Sequence, residues 1–175
     1  MDYYTLKICG LSRKLPIIPL GAKLRIASFN LLGDRVLVEK LAVELSLKLK
    51  SLDFDFLVGP EVKVVPLLQE LSRLLNKKRY IVCRKKVHGY MVSPLYLKGG
   101  AGLVMNGLDA SYIKGKKVLI LDDVISSGKT MEEVTTLVER ARGKVIAKAA
   151  VLRQKGEAEA LNDLIFLGEL PIYRT

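Results

Sequence analysis

The sequence predicts a doubly wound α/β fold, in which helices cover both faces of a parallel sheet. Strand-like and helix-like segments alternate along the chain, and the strand-like segments are apolar throughout rather than at every second position. Strands of this kind are buried on both faces, which is typical of a parallel sheet between two helical layers. With 175 residues, half of them apolar, the chain is long enough for one domain with a sizeable core.

The first half of the chain contains two helix–strand pairs. Residues 33–50, GDRVLVEKLAVELSLKLK, begin with Asp34 as a candidate N-cap and space their apolar residues at helical intervals. Residues 54–60, FDFLVGP, are a short apolar run that predicts a buried strand. Helical spacing returns in residues 64–77, and residues 79–84, RYIVCR, predict the next strand.

The second half contains a strand–helix–strand unit. Residues 118–122, VLILD, are apolar up to the final aspartate and form the strongest strand candidate. Residues 130–144, TMEEVTTLVERARGK, predict a helix that starts with a capping box of Thr130 and Glu133. The strand predicted for residues 145–152, VIAKAAVL, completes the unit.

The two ends of the chain do not follow this alternation. Residues 1–33 and 153–175 are therefore expected to form a small hood on a single domain that spans residues 1–175. The N-terminal residues lack the pattern of a signal peptide, and no apolar run approaches the ~18 residues that cross a bilayer. Cys9 and Cys83 lie far apart and are expected to be free thiols, so we expect a cytoplasmic protein without a membrane partner.

The net charge of +11 is unevenly distributed. No acidic residue occurs from Leu71 to Leu108, whereas the basic residues of this stretch are Arg73, Lys77, Lys78, Arg79, Arg84, Lys85, Lys86 and Lys98. Nucleic acid is one partner that such charge suits, and a small polyanionic ligand is another. RNA binding rests on charge alone, since few aromatic residues that stack on bases lie in this stretch. We therefore do not expect nucleic acid to be the partner.

The stretch VLILDDVISSGKT, residues 118–130, ends like a nucleotide-triphosphate loop. The pattern G-x-x-x-x-G-K-[ST] requires a glycine at position 123, where this chain has Asp123, and a carboxylate there would repel a triphosphate. This interpretation therefore fails. The alternative is a buried strand that ends in Asp122 and Asp123, followed by a loop of small residues and a helix. Ligands of open α/β sheets bind at this edge.

A ribose 5-phosphate fits both features of this stretch. The loop SSGKT presents backbone N–H groups and three hydroxyls at a helix N-terminus, which favours a phosphate group. The paired carboxylates of Asp122 and Asp123 can accept hydrogen bonds from vicinal hydroxyls. The structural alternative is that the two aspartates only end a strand and the loop only caps a helix.

The same stretch resembles the phosphoribosyl pyrophosphate (PRPP) motif of type I phosphoribosyltransferases. Residues 54–71, FDFLVGPEVKVVPLLQEL, are similar to the pyrophosphate-loop segment of adenine and xanthine phosphoribosyltransferases, and residues 80–86, YIVCRKK, to the strand that follows it. Residues 15–34, LPIIPLGAKLRIASFNLLGD, resemble the base-covering region less specifically. The resemblance implies a hooded parallel sheet, commonly dimeric, that transfers phosphoribose from PRPP to a purine, with adenine as the first expectation.

The resemblance also implies a role for each matching residue. Asp122 and Asp123 would hold the ribose hydroxyls. The 5-phosphate would be bound by Ser126, Ser127, Gly128, Lys129 and Thr130. The pyrophosphate would lie near Glu61, Val62, Lys63, Arg84, Lys85 and Lys86. The candidate catalytic residues are Lys63, Arg84, Lys85 and His88. Mg²⁺ would arrive bound to PRPP, so no set of protein metal ligands is expected. Basic groups placed where charge develops on the departing pyrophosphate would lower the barrier.

Two departures from the family pattern concern lysines. Lys129 replaces the second glycine of the phosphate loop, which would cost roughly 1 kcal/mol if that residue adopted a positive φ. Lys63 stands where purine-specific relatives often have arginine, so it keeps the charge but loses bidentate hydrogen bonding.

The third departure is in residues 87–110, which occupy the place of the family's mobile catalytic loop. GGAG at residues 99–102 supplies candidate hinges, but the segment lacks the glutamate with which adenine-type relatives manage the purine proton. His88, the only histidine, is a candidate substitute. We therefore expect clear PRPP binding with slow adenine transfer. The alternative function is that of a non-catalytic regulator of the same fold that binds PRPP or a nucleotide.

Overall fold

The computed structural model describes residues 2–21, 23–97, 99–155 and 163–174. Lys98, which belongs to the basic stretch, and residues 156–162 of the predicted hood lie outside the described residues. The strands are β1 Tyr3–Ile8, β2 Leu11–Pro19, β3 Leu24–Ala27, β4 Phe56–Pro60, β5 Tyr80–Cys83, β6 Leu95–Tyr96, β7 Val104–Met105, β8 Lys117–Ile125, β9 Lys144–Gln154, β10 Leu164–Leu170 and β11 Ile172–Arg174. The helices are α1 Arg35–Leu49, α2 Val65–Leu74, α3 Gly107–Ile113 and α4 Lys129–Arg140.

The central sheet has five parallel strands in the order β10-β9-β8-β4-β5. From β4 the chain moves outward to β5, whereas from β8 it moves through β9 to β10 on the opposite side. The carboxyl ends of β4 and β8 are therefore neighbours at the point where the strand order reverses. Open α/β sheets bind their ligands at this switch point.

Two apolar cores lie on opposite faces of the central sheet. On one face, α1, α2 and the hood strands pack around Leu57, Leu119 and Leu121. On the other face, α3 and α4 pack around Val58 and Ile120. Neighbouring residues of one strand thus enter different cores, which explains why these strands are apolar throughout. The predicted doubly wound α/β architecture is confirmed.

The hood is a four-stranded antiparallel sheet in the order β1-β2-β3-β11. Strands β1 to β3 lie within residues 1–33, the N-terminal segment for which the sequence predicts a hood. The C-terminal boundary at residue 153 is wrong, because β9 continues to Gln154 and β10 pairs in parallel with β9. Residues 164–170, LIFLGEL, are apolar enough to extend the central sheet, so only β11 of this segment joins the hood.

The helix starts agree with the sequence in one case and differ in another. Asp34 caps α1, since its Oδ1 accepts a hydrogen bond from Leu37 N at 3.0 Å. The capping box predicted for α4 is wrong, because the N-cap is Gly128 and Thr130 lies inside the helix. None of the helices in the described ranges is long and apolar enough to cross a membrane.

Candidate active site

A cavity of about 420 Å³ opens at the carboxyl ends of β4 and β8, and we call it the edge pocket. Five parts of the chain supply its walls: the end of β4 and the loop after it, Lys85 after β5, the two residues before β7, the end of β8, and the first turns of α4. Its lining residues are Pro60, Glu61, Lys63, Lys85, Gly102, Leu103, Asp122, Asp123, Val124, Thr130 and Glu133. The cavity thus lies at the switch point of the sheet.

Asp122 and Asp123, which we call the dyad, lie in β8 and reach the edge pocket from its floor. Both residues are buried, with relative exposures of 6% and 5%. Burial, and then the neighbouring charge of Asp123, raises the pKa of Asp122 from 3.8 to about 8. Asp122 Oδ1 accepts a hydrogen bond from Asp123 N at 2.8 Å. Burial therefore favours the neutral form of Asp122, and a cation or a ligand that donates hydrogen bonds favours the charged, accepting form.

A cation meets the dyad from the loop after β4. Lys63 Nζ lies 2.5 Å from Asp123 Oδ2. Among the described residues, no group other than this ammonium is within donating reach of Asp123 Oδ2. The contact is thus an ion pair at a buried oxygen, and a ligand hydroxyl would compete with the ammonium for this oxygen.

The phosphate loop, residues 126–130, encloses a second, much smaller cleft of about 30 Å³ next to the edge pocket. Gly128 has a φ of +80° and is the N-cap of α4, and in the described part of the chain no side chain caps this helix. The N–H of Lys129 donates a long hydrogen bond of 3.5 Å to Ser127 Oγ, and in the described ranges no other side chain accepts from the first turn of α4, so this turn keeps N–H groups for an anion. Lys129 is the first helical residue, so the strain considered for it from the sequence does not arise.

The residues predicted to bind pyrophosphate or to act in catalysis divide into two groups. Glu61, Lys63 and Lys85 line the edge pocket. Val62, Arg84, Lys86 and His88 are not among its lining residues. The roles assigned to both groups stay predictions, but the structure brings only the first group together with the dyad.

Arg84 forms the centre of a polar cluster beside the edge pocket. Its guanidinium donates to Glu61 Oε2 and to the hydroxyl of Tyr90, and its Nη2 lies 3.0 Å from His88 Nε2. Glu61 Oε1 accepts a hydrogen bond from Lys85 N at 2.6 Å. Partial burial raises the pKa of Glu61, but the Lys85 N–H and the Arg84 guanidinium outweigh it, so the pKa lies below its usual value. His88 thus contacts Arg84 rather than the cavity.

Glu133 also lines the edge pocket, although the sequence predicts it only as part of the capping box of α4. It comes from α4, and its Oε2 accepts a hydrogen bond from Leu103 N at 3.2 Å. It lies three residues after Thr130, on the same side of the helix, and this spacing was the signal that could have placed it in the site. Through Glu133, α4 holds the end of the segment that was predicted to be mobile.

Known proteins resemble the chain in both sequence and fold. A family model described as "Phosphoribosyl transferase domain" matches residues 35–166. The adenine phosphoribosyltransferase of Thermosipho africanus is 35% identical over 125 residues, which are 70% of this chain and 72% of that protein. The orotate phosphoribosyltransferase of Caldicellulosiruptor bescii is 28% identical over 120 residues, 69% of this chain and 55% of that protein.

A solved structure agrees with the fold. The adenine phosphoribosyltransferase of Thermoanaerobacter pseudethanolicus superposes with a TM-score of 0.69 at 20% identity, covering 89% of this chain and 95% of that one. At 20% identity this similarity supports the fold alone. Membership of the family is supported by the family model and by the Thermosipho relative. The chain belongs to the phosphoribosyltransferase family of enzymes.

Proposed function

We propose that the protein transfers the 5-phosphoribosyl group from PRPP to a purine base, with adenine as the first candidate. The observation that carries this proposal is the dyad, which lies at the switch point of the sheet between the phosphate loop and the Lys63–Lys85 side of the edge pocket. The phosphate loop, the dyad and the two lysines thus follow one another in the order of the 5-phosphate, the ribose hydroxyls and the pyrophosphate in one PRPP molecule.

In the proposed reaction, the bond from the anomeric carbon to the pyrophosphate oxygen breaks and a bond from that carbon to a base nitrogen forms. Asp122 and Asp123 would fix the ribose by accepting hydrogen bonds from its hydroxyls. Lys63 and Lys85 would stabilise the charge that grows on the departing pyrophosphate, which is where such groups lower a barrier. The N–H proton of the base passes to the departing pyrophosphate, so the products are a nucleoside monophosphate and a pyrophosphate that carries this proton.

Mg²⁺ enters this proposal as part of the substrate. Within the described ranges, no three His, Cys, Asp or Glu side chains are grouped so as to hold a metal ion. The phosphate and hydroxyl oxygens of PRPP are ligands of the kind that Mg²⁺ prefers. The dyad fits such a complex, because Asp123 Oδ2 has no donor besides the Lys63 ammonium and can accept from a hydroxyl that the ion polarises once the lysine moves away.

The base is proposed from the Thermosipho relative, which is named for adenine. The described parts of residues 87–110 contain no glutamate to manage the purine proton. General acid–base assistance typically contributes about 10²–10⁴-fold, so we propose that adenine transfer is slower by a factor in this range than in relatives with the loop glutamate. Orotate is the second candidate, because the Caldicellulosiruptor relative is named for it.

The test is to incubate the protein with PRPP, Mg²⁺ and one base at a time, and to detect nucleoside monophosphates by mass spectrometry. The bases are adenine, hypoxanthine, guanine, xanthine and orotate. We expect adenosine monophosphate as the main product. Product from orotate and none from any purine would overturn the purine assignment, and no product from any base would overturn the proposed reaction.

A cytoplasmic homodimer is also proposed. Three apolar side chains, Val36, Val43 and Leu47, are exposed on α1, where a second copy would cover them. Light scattering of the purified protein measures the mass of the assembly directly, and a mass of one chain at micromolar concentration would contradict the dimer.

A further inference from the structure

Lys63 forms an ion pair with Asp123 Oδ2, the oxygen that would accept a hydrogen bond from the ribose in the proposed site. Its ammonium is 2.5 Å from Asp123 Oδ2, and the Asp123 side chain is only 7% exposed whereas that of Lys63 is 45% exposed. The buried partner is therefore fixed in the sheet, while the lysine reaches it from a loop with room to move.

A ligand hydroxyl that donates to Asp123 Oδ2 competes with this ammonium. The oxygen has no other hydrogen-bond donor in the described structure, so it can accept the hydroxyl without losing a hydrogen bond. The lysine, however, loses its counter-charge when it moves away. The two glutamates of the edge pocket, Glu61 and Glu133, already accept hydrogen bonds from Arg84, from Lys85 N and from Leu103 N. A new partner for the lysine is therefore an anionic group of the ligand.

We propose that Lys63 is a specificity-determining residue that makes the edge pocket select PRPP over ribose 5-phosphate. This inference rests on the proposed function. Ribose 5-phosphate displaces Lys63 from Asp123 and offers the lysine no other anionic group to pair with. PRPP displaces the same lysine, but its pyrophosphate then forms a new ion pair with the ammonium group. The ion pair thus lowers the affinity for the monophosphate and couples recognition of the ribose to recognition of the pyrophosphate.

The test compares the two ligands on Lys63→Met, in which the apolar stem stays and the charge is lost. We expect the affinity for ribose 5-phosphate to rise about fivefold, a change typical of removing a competing ion pair. The affinity for PRPP with Mg²⁺ is expected to fall about tenfold, because one charged contact to the pyrophosphate is lost. Isothermal titration gives both dissociation constants.

Two further variants isolate the ion pair from charge in general. Lys85→Met removes a positive charge from the same cavity but not from the dyad, so it should weaken PRPP binding without strengthening ribose 5-phosphate binding. Lys63→Arg keeps a cation within reach of Asp123, so it should restore most of the discrimination between the two ligands that Lys63→Met loses.

The outcomes separate this inference from the proposed function. If Lys63→Met weakens both ligands by one common factor, Lys63 is a general attractor of anions and the inference is wrong while the function stands. If the unchanged protein binds neither ligand, the proposed function is wrong and the inference with it.

Discussion

The two sides of the edge pocket are constructed differently. On the β8 side, the dyad belongs to a nine-residue strand that is buried along most of its length, so the sheet fixes the carboxylates. On the other side, the segment after β5 contains only the two-residue strands β6 and β7, and contacts of Arg84 and Glu133 hold it in place. Binding groups on the first side are positioned by burial, and those on the second by a few polar contacts. Substitutions on the two sides should therefore differ in kind and in size.

The largest effect is expected for Asp122→Asn combined with Asp123→Asn. Hydrogen bonds to charged groups are worth roughly 1.5–3 kcal/mol each, so the double variant should bind PRPP about 100-fold or more weakly. Isothermal titration measures the affinity, and circular dichroism checks the fold.

The matched control is Asp53→Asn, which removes a carboxylate near the amino end of the same strand, where Asp53 pairs with Lys117. It should bind PRPP as the unchanged protein does. An equal affinity in the folded double variant would show that the dyad does not hold the ribose.

A second effect is expected for Gly102→Ala, in the segment that Glu133 holds. Gly102 has a φ of +91°, and an added Cβ would lie 2.7 Å from Leu97 Cδ1 and 3.0 Å from Glu133 Oε2. The left-handed backbone costs about 1 kcal/mol, and because the crowded atoms are ends of flexible side chains, moving them adds at most about 1 kcal/mol. Urea denaturation should show a loss of unfolding free energy of about 1–2 kcal/mol.

Gly99→Ala is the matched variant for this prediction. Gly99 has a φ of +90°, but nothing lies within 4 Å of an added Cβ, so only the backbone cost of about 1 kcal/mol applies. Equal losses of unfolding free energy in the two variants would mean that Glu133 and Leu97 move away from the added methyl group without destabilising the protein.

The two sides of the edge pocket also differ in how well their binding residues can be predicted from the sequence. Asp122 and Asp123 follow an uninterrupted apolar run, so both the strand and its functional end are visible in local sequence. Arg84, Lys85 and Lys86 are three adjacent basic residues, and nothing local distinguishes them. Only the pairing of β4 with β5, and the hydrogen bonds of Glu61 to two of these residues, determine that Lys85 faces the cavity.

The capping box illustrates a related limit. Thr130 and Glu133 have the correct spacing for it, but Gly128 starts the helix earlier and Glu133 contacts Leu103, thirty residues away in sequence. A tertiary contact replaced a local one. Likewise β10 was assigned to the hood, because its place in the sheet depends on pairing with β9 and not on its own pattern.

A third effect separates neighbouring lysines. Lys85 lines the edge pocket and Lys86 does not, although both are exposed and adjacent in sequence. Lys85→Ala should weaken PRPP binding about tenfold, since a charged contact is worth about 1.4 kcal/mol or more, and should change ribose 5-phosphate binding less. Lys86→Ala should leave both affinities within about twofold. Equal losses for the two lysines would show that the basic stretch acts only by its summed charge.

The smallest effect is expected for His88, which the sequence offered as a substitute for the loop glutamate. A guanidinium can only donate, so His88 Nε2 accepts from Arg84 Nη2 at 3.0 Å and the ring hydrogen is assigned to Nδ1. Arg84 keeps Glu61 and Tyr90 as partners without it. His88→Ala should therefore lower kcat/KM by about threefold or less, and His88→Gln, which retains an acceptor, should restore most of that loss. The pH profile of kcat/KM should keep its shape in both variants, because no proton of the reaction passes through this ring. A fall of about 10²–10⁴-fold with loss of a limb near neutral pH would instead make His88 a general acid or base, and would require the segment after β5 to move the ring into the edge pocket during turnover.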